Sequence, residues 1–121
     1  MTSPYEAIGQ EKLYAVIDRF YDYVKADDRI NHLFPAELNE TARKQKQFLT
    51  QFLGGPSLYT EEHGHPMLRM RHLPFQITPA ARDAWLENMH RALDDFEIDE
   101  PVKNYIFERL SLTATHMVNT E

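Results

Sequence analysis

A chain of 121 residues carries no cysteine and a formal net charge of −6, with 13 Lys and Arg against 19 Asp and Glu. That composition excludes a disulfide framework and a thiolate metal site, and it argues against nucleic acid as the main partner, because phosphate binding needs a basic footprint. No apolar run approaches the ~20 residues of a membrane span, and the start Met1-Thr2-Ser3-Pro4-Tyr5-Glu6 has neither a basic opening nor an apolar stretch. The expectation is one cytoplasmic domain over 1–121, without a membrane partner, large enough to bury a core of its own.

Glycine and proline divide the chain into helical pieces. Ser3-Pro4 has the form of an N-cap followed by proline at the first helical position, and Gly9 ends that short turn. From about Gln10 to Ala26, Leu13, Val16, Ile17, Phe20, Tyr21 and Val24 recur at steps of 3 and 4, which predicts one buried helix face. Asp27-Asp28 interrupts it, and Ile30, Leu33 and Phe34 fill a short turn closed by Pro35. A second strong helix is predicted from about Glu40 to Leu53, ended by Gly54-Gly55 in left-handed conformation, with Pro56 preventing resumption. Residues 57 to 65 read mostly as loop, and Pro66 opens a short helix through His72 that stops near Pro74. Thr78-Pro79 repeats the cap-and-proline signal for a helix to about Phe96. Asp99 then caps a last helix, Glu100 to Met117, with Val102, Tyr105, Ile106, Leu110 and Met117 inward. No alternating run favours a strand, so the class is all-α.

The informative signal is polar chemistry where the helical period predicts burial. Thr41 and Gln45 share the face that Phe48, Leu49 and Phe52 bury; Tyr21 sits with Phe20 and Ile17, and Trp85 with Ala81 and Met89. Singly, Tyr21 and Trp85 read as core aromatics whose polar tips find a carbonyl, and Thr41 as a residue bonding its own preceding turn. A Gln on such a face is rarer, since an unpaired buried amide costs ~1–3 kcal/mol. Together the four suggest a polar ligand pocket.

Six histidines offer candidate metal ligands. His63-Gly64-His65 beside Glu61 and Glu62 is a weak metal signal that reads better as a solvated loop, and the surroundings of His32, His90 and His116 suggest no site. His72 differs: Met67 and Leu68 lie one turn before it, Leu73 and Phe75 follow, and Arg69 and Arg71 flank it. An axial histidine for haem needs an apolar wall for the porphyrin and cations for its propionates. One short segment offers both, although by itself it equally fits a half-buried histidine on a basic turn.

The segment Thr41-Ala42-Arg43-Lys44-Gln45-Lys46-Gln47-Phe48-Leu49, then Gly54-Gly55-Pro56, Tyr59, His63-Gly64-His65-Pro66, Met67-Leu68-Arg69 and Arg71-His72 resembles the truncated haemoglobins, most closely the bacterial members of group II. The resemblance runs on through Trp85 to Leu112-Thr113-Ala114-Thr115-His116-Met117, so it covers essentially the whole chain. It implies a two-over-two helical sandwich, a shortened globin that turns sharply at its double glycine; near Gly64 the second glycine motif is reduced. It also implies haem b, with His72 as proximal iron ligand and metal site, and Tyr21, Thr41, Gln45 and Trp85 as the oxygen-ligand pocket. Lys44 matches a propionate partner, Tyr59 and Arg71 belong at the haem edge, and Phe34 packs on the porphyrin. Phe48, Leu68 and Thr41 complete the cofactor-binding set. Trp85 would narrow the apolar ligand tunnel of group I members, so no tunnel is expected.

Donors aimed at a partly negative ligand slow its loss. The expected function is therefore binding of oxygen and other diatomic ligands at ferrous iron, with high affinity and slow release. The alternatives are a haem-dependent peroxidase or nitric oxide dioxygenase-type redox enzyme, or an oxygen or redox sensor. The pocket is expected to lack a general base, and no output domain is visible. Partners are then oxygen and other small haem ligands and a reductase, with the chain a monomer or weak homodimer.

Overall fold

Capping chemistry sets where each helix starts, in a computed structural model that describes residues 2–120 apart from the side chain of Arg69. The Ser3 hydroxyl accepts the Glu6 amide at 3.1 Å and Pro4 opens α1 (Pro4–Ile8). Gly9, at φ +85°, turns the chain directly into α2 (Gln10–Lys25), whose six predicted core residues from Leu13 to Val24 are all buried. A 3-10 turn (Asn31–Leu33) leads to α3 (Asn39–Phe52). Two short helices follow, α4 (Leu58–His63) and α5 (Leu68–His72). At α6 (Pro79–Asp94) the Thr78 hydroxyl accepts the Ala81 amide at 3.0 Å, and α7 (Glu100–Met117) ends the fold. α2 packs on both α3 and α6, and α6 on α7. The result is the two-over-two sandwich, all-helical among the described residues.

Four expectations need correction. Residues 57 to 65 are mostly helix because α3 supplies what six residues lack alone. The Gln51 amide accepts the Thr60 N–H at 2.9 Å and donates to the Thr60 hydroxyl at 2.7 Å, while Tyr59 is buried edge-on against Phe48. α5 begins at Leu68 rather than Pro66, because Met67 takes a left-handed φ of 43°. Asp99 occupies the N-cap position of α7 without a side-chain capping bond. Tyr105 is 44% exposed rather than inward: with Ile106 buried, its neighbour rotates ~100° round the helix, where its hydroxyl accepts a hydrogen bond from Arg109 at 2.9 Å.

The double glycine works differently at its two positions. Gly54 alone is left-handed, at φ +98°. Gly55 is needed for space, since a Cβ there would lie 2.7 Å from Tyr5 Cδ2 and 2.9 Å from Thr50 Cγ2. The Tyr5 amide donates to the Leu53 carbonyl at 2.9 Å, so the glycines seat α1 against the end of α3. Gly55→Ala should destabilise the fold by ~1–3 kcal/mol through this overpacking, read from denaturant unfolding; a variant as stable as the parent would show the close approach to be dispensable.

Candidate functional site

The polar residues set by helical period on apolar faces converge on one cavity of about 360 Å³ bounded by α2, α3, α4, α5, α6 and α7. Every residue singled out from the sequence as cofactor-binding or ligand-pocket lines it: Tyr21, Phe34, Thr41, Lys44, Gln45, Phe48, Tyr59, Leu68, Arg71, His72 and Trp85. The expected apolar contribution of Met67 is not made. Its left-handed backbone turns it out of the cavity wall, and it is 53% exposed. The side chain of Arg69 lies outside the described residues.

His72 closes one side. Its Nδ1 lies 2.7 Å from the Leu68 carbonyl, and because a carbonyl can only accept, Nδ1 carries the proton. The Nε2 lone pair is thereby left for a ligand or metal.

The opposite wall holds neutral donors. Tyr21 is buried, and burial raises its phenol above the usual range, so it stays protonated at any physiological pH. Among the described residues, the side chains of Tyr21, Thr41, Gln45 and Trp85 find no hydrogen-bond partner. Phe20, fully buried, braces two of them, meeting both the Tyr21 and Trp85 rings edge-on at 4.9 Å.

Cations gather at the rim. Lys44, Arg71 and Arg82 line the cavity, and among the described residues no Asp or Glu does. The stretch from 63 to 82 contains no acidic residue, in a chain with 19 of them. Arg71 lies over the Tyr59 ring at 5.6 Å. His63 faces elsewhere, with Nε2 2.8 Å from Gln47 Oε1, and among the described residues no cluster of His, Asp and Glu could hold a metal.

Sequence reasoning missed Arg82, Ile77, Thr113 and Ala114, which also line the cavity, and named Phe75 only as an apolar neighbour of His72. Arg82 stands three residues before Trp85, and Thr113 and Ala114 stand between Leu110 and Met117 at steps of 3 and 4. Helical spacing from residues already recognised could have found all three. Phe75 and Ile77 follow Pro74 in non-helical chain, where no period applies.

Comparison with known proteins places this geometry. A family model of bacterial-like globins matches residues 3–119. The chain is 57% identical over 117 residues to group 2 truncated hemoglobin YjbI of Bacillus subtilis, covering 97% of this chain and 89% of that protein. The crystal structure of the group II truncated haemoglobin from Bacillus anthracis superposes with a TM-score of 0.97 at 56% identity, covering 99% of this chain and 93% of the other. That of the truncated oxygen-avid haemoglobin from Bacillus subtilis gives 0.95 at 57% identity, covering 98% and 100%. The chain belongs to the group II truncated haemoglobins.

Globins hold haem, and this globin's cavity suits it. A flat apolar macrocycle needs apolar walls, which Phe34, Phe48, Leu68 and Ile77 offer. Its propionates need cations, which Lys44 and Arg71 offer without a salt bridge among the described residues while Arg82 is paired with Asp83 at 3.0 Å, and its iron needs a histidine with a fixed tautomer.

Because Tyr21 keeps its proton, Tyr21→Phe should leave the phenolate absorbance that develops up to about pH 10 unchanged. A lost phenolate signal in that range would show that Tyr21 is not held neutral.

Proposed function

We propose that this globin binds oxygen and related diatomic ligands at ferrous haem b, with high affinity and slow release, in the cytoplasm. His72 is the iron ligand in this reading. Lys44 and Arg71, with Tyr59, hold the propionate edge, while Phe34, Phe48, Leu68 and Thr41 contact the cofactor. A chain without cysteine has no thiol to form a thioether link, which favours unattached haem. Haem supplies a ferrous iron with one position open to a small ligand.

One observation carries the proposal: four side chains able to donate line the cavity wall and have no partner among the described residues. Tyr21 is buried and Thr41, Gln45 and Trp85 are half-buried; polar groups on a largely apolar cavity wall are normally satisfied, so this set suits a polar ligand. Trp85 donates only, through its indole N–H, and Tyr21, held neutral, keeps a hydroxyl to donate. Neutral donors favour a ligand carrying partial negative charge, so oxygen should gain more than carbon monoxide. Each bond adds ~0.5–1.5 kcal/mol, and two together change affinity by about ten- to a hundredfold. The likeness to a haemoglobin described as oxygen-avid supports the same reading. The redox-enzyme alternative gains nothing from the cavity, where His72 is the sole histidine among the described lining residues and no carboxylate is present to act as base.

Two experiments test this. Purified protein should show a Soret band that His72→Ala abolishes or shifts strongly, and an unchanged spectrum would remove His72 from the iron. In stopped-flow measurements, Tyr21→Phe and Trp85→Phe should each speed oxygen release about two- to tenfold. Release rates unchanged in both would sink the donor model.

A further inference from the structure

His72 sits on the segment least able to hold its own shape. α5 has five residues, too few for a stable helix alone, and no side-chain N-cap. It follows a left-handed non-glycine residue, Met67, and the chain around it is exposed, with Met70 and Leu73 each 57% accessible. The hydrogen bond to Leu68 fixes the imidazole relative to α5, but it cannot fix α5 relative to the rest of the molecule.

Asn119, just beyond α7, makes that connection. Its Nδ2 donates to the His72 carbonyl at 3.2 Å and to the Phe75 carbonyl at 3.0 Å, while its Oδ1 accepts the Ile77 amide at 3.0 Å. The main chain adds to the tie: the Asn119 and Thr120 amides both donate to the Ile77 carbonyl, at 3.0 and 3.2 Å. One side chain thus bonds three backbone groups of a turn that no regular element pairs, adding to the Phe75 amide that already donates to the His72 carbonyl at 3.0 Å. Only a primary amide offers two donors and an acceptor from so short a stem.

We propose that Asn119 is a positioning residue for the iron ligand, clamping the turn after His72 to the C-terminal end of α7. The inference rests on the reading of His72 as that ligand. His72 is held at two points, its ring through Leu68 at Nδ1 and its main chain through Asn119 at its backbone carbonyl. With the clamp removed, α5 shifts as a unit and the imidazole loses its set orientation toward the cavity.

The test uses the haem-loaded protein and two variants. Asn119→Ala removes all three bonds, and Asn119→Asp keeps an acceptor for Ile77 but loses both donors. Both should release haem to excess apomyoglobin about tenfold faster than the parent, the scale of one modest hydrogen bond. Both should also shift or broaden the iron–histidine stretching band of the ferrous, ligand-free form. Ile8→Val, a core change remote from the turn, controls for general destabilisation and should leave that band in place. If both variants match the parent in band and in haem release, or if Asn119→Asp alone does so, the clamp is wrong while His72 stands. A parent that takes up no haem overturns both readings.

Discussion

A histidine can present either ring nitrogen, and everything in this cavity depends on which one it presents. The Leu68 carbonyl, one turn back along α5 and 2.7 Å from Nδ1, makes that choice. It requires a proton on Nδ1 and so leaves the Nε2 lone pair free. The spacing of four between Leu68 and His72 is the i to i−4 reach of a single helical turn, so five residues suffice to set the tautomer. They do not suffice to hold the turn in place, which is why the surrounding contacts bear on function. α4 is braced on α3 through Gln51 and Thr60, and residues 72 to 77 are tied to Asn119.

The distal wall poses the opposite problem. Tyr21, Gln45 and Trp85 are carried by three different long helices, so their relative positions follow from the packing of α2 on α3 and α6 rather than from any local turn. Phe20 makes the packing specific, because its ring meets Tyr21 and Trp85 at the same distance. Donors held this way need little reorganisation when a ligand arrives, which is the condition under which a hydrogen bond contributes most.

How far the sequence revealed this can be argued residue by residue. Helices with a two-sided pattern, α2 and α3, were legible almost to the residue, because Leu13 to Val24 and Phe48 with Leu49 obey one period and prolines or glycines mark the ends. α4 was not, since its stability comes from Gln51 and Phe48, which lie in another helix. The polar cavity-lining residues Tyr21, Thr41, Gln45 and Trp85 were visible as polar exceptions on apolar faces, whereas His72 needed the family resemblance to single it out among six. Ile77 and Asn119 were invisible for a common reason. They act from irregular chain, where a side chain's direction is set by tertiary hydrogen bonds and no period announces it.

The placement of charge follows from the same economy of burial. A cation inside the cavity would strengthen a bond to a partly negative ligand, but desolvating it would cost several kcal/mol, and its protonation would then vary with surroundings. Phenol, amide, hydroxyl and indole avoid that cost, and burial raises the one titratable member, Tyr21, further from ionisation. The positive charges stand instead at the rim, where Lys44 and Arg71 are exposed and water still solvates them. Neither forms a salt bridge among the described residues, whereas the half-buried Arg82 is paired with Asp83 at 3.0 Å. Farther from the rim, Arg43 is bound by Glu40 and Glu62 at 2.7 and 2.6 Å and serves to fasten α4 to α3. Two exposed arginines, Arg43 and Arg71, thus differ in that only Arg43 forms salt bridges among the described residues, while Arg71 lines the cavity.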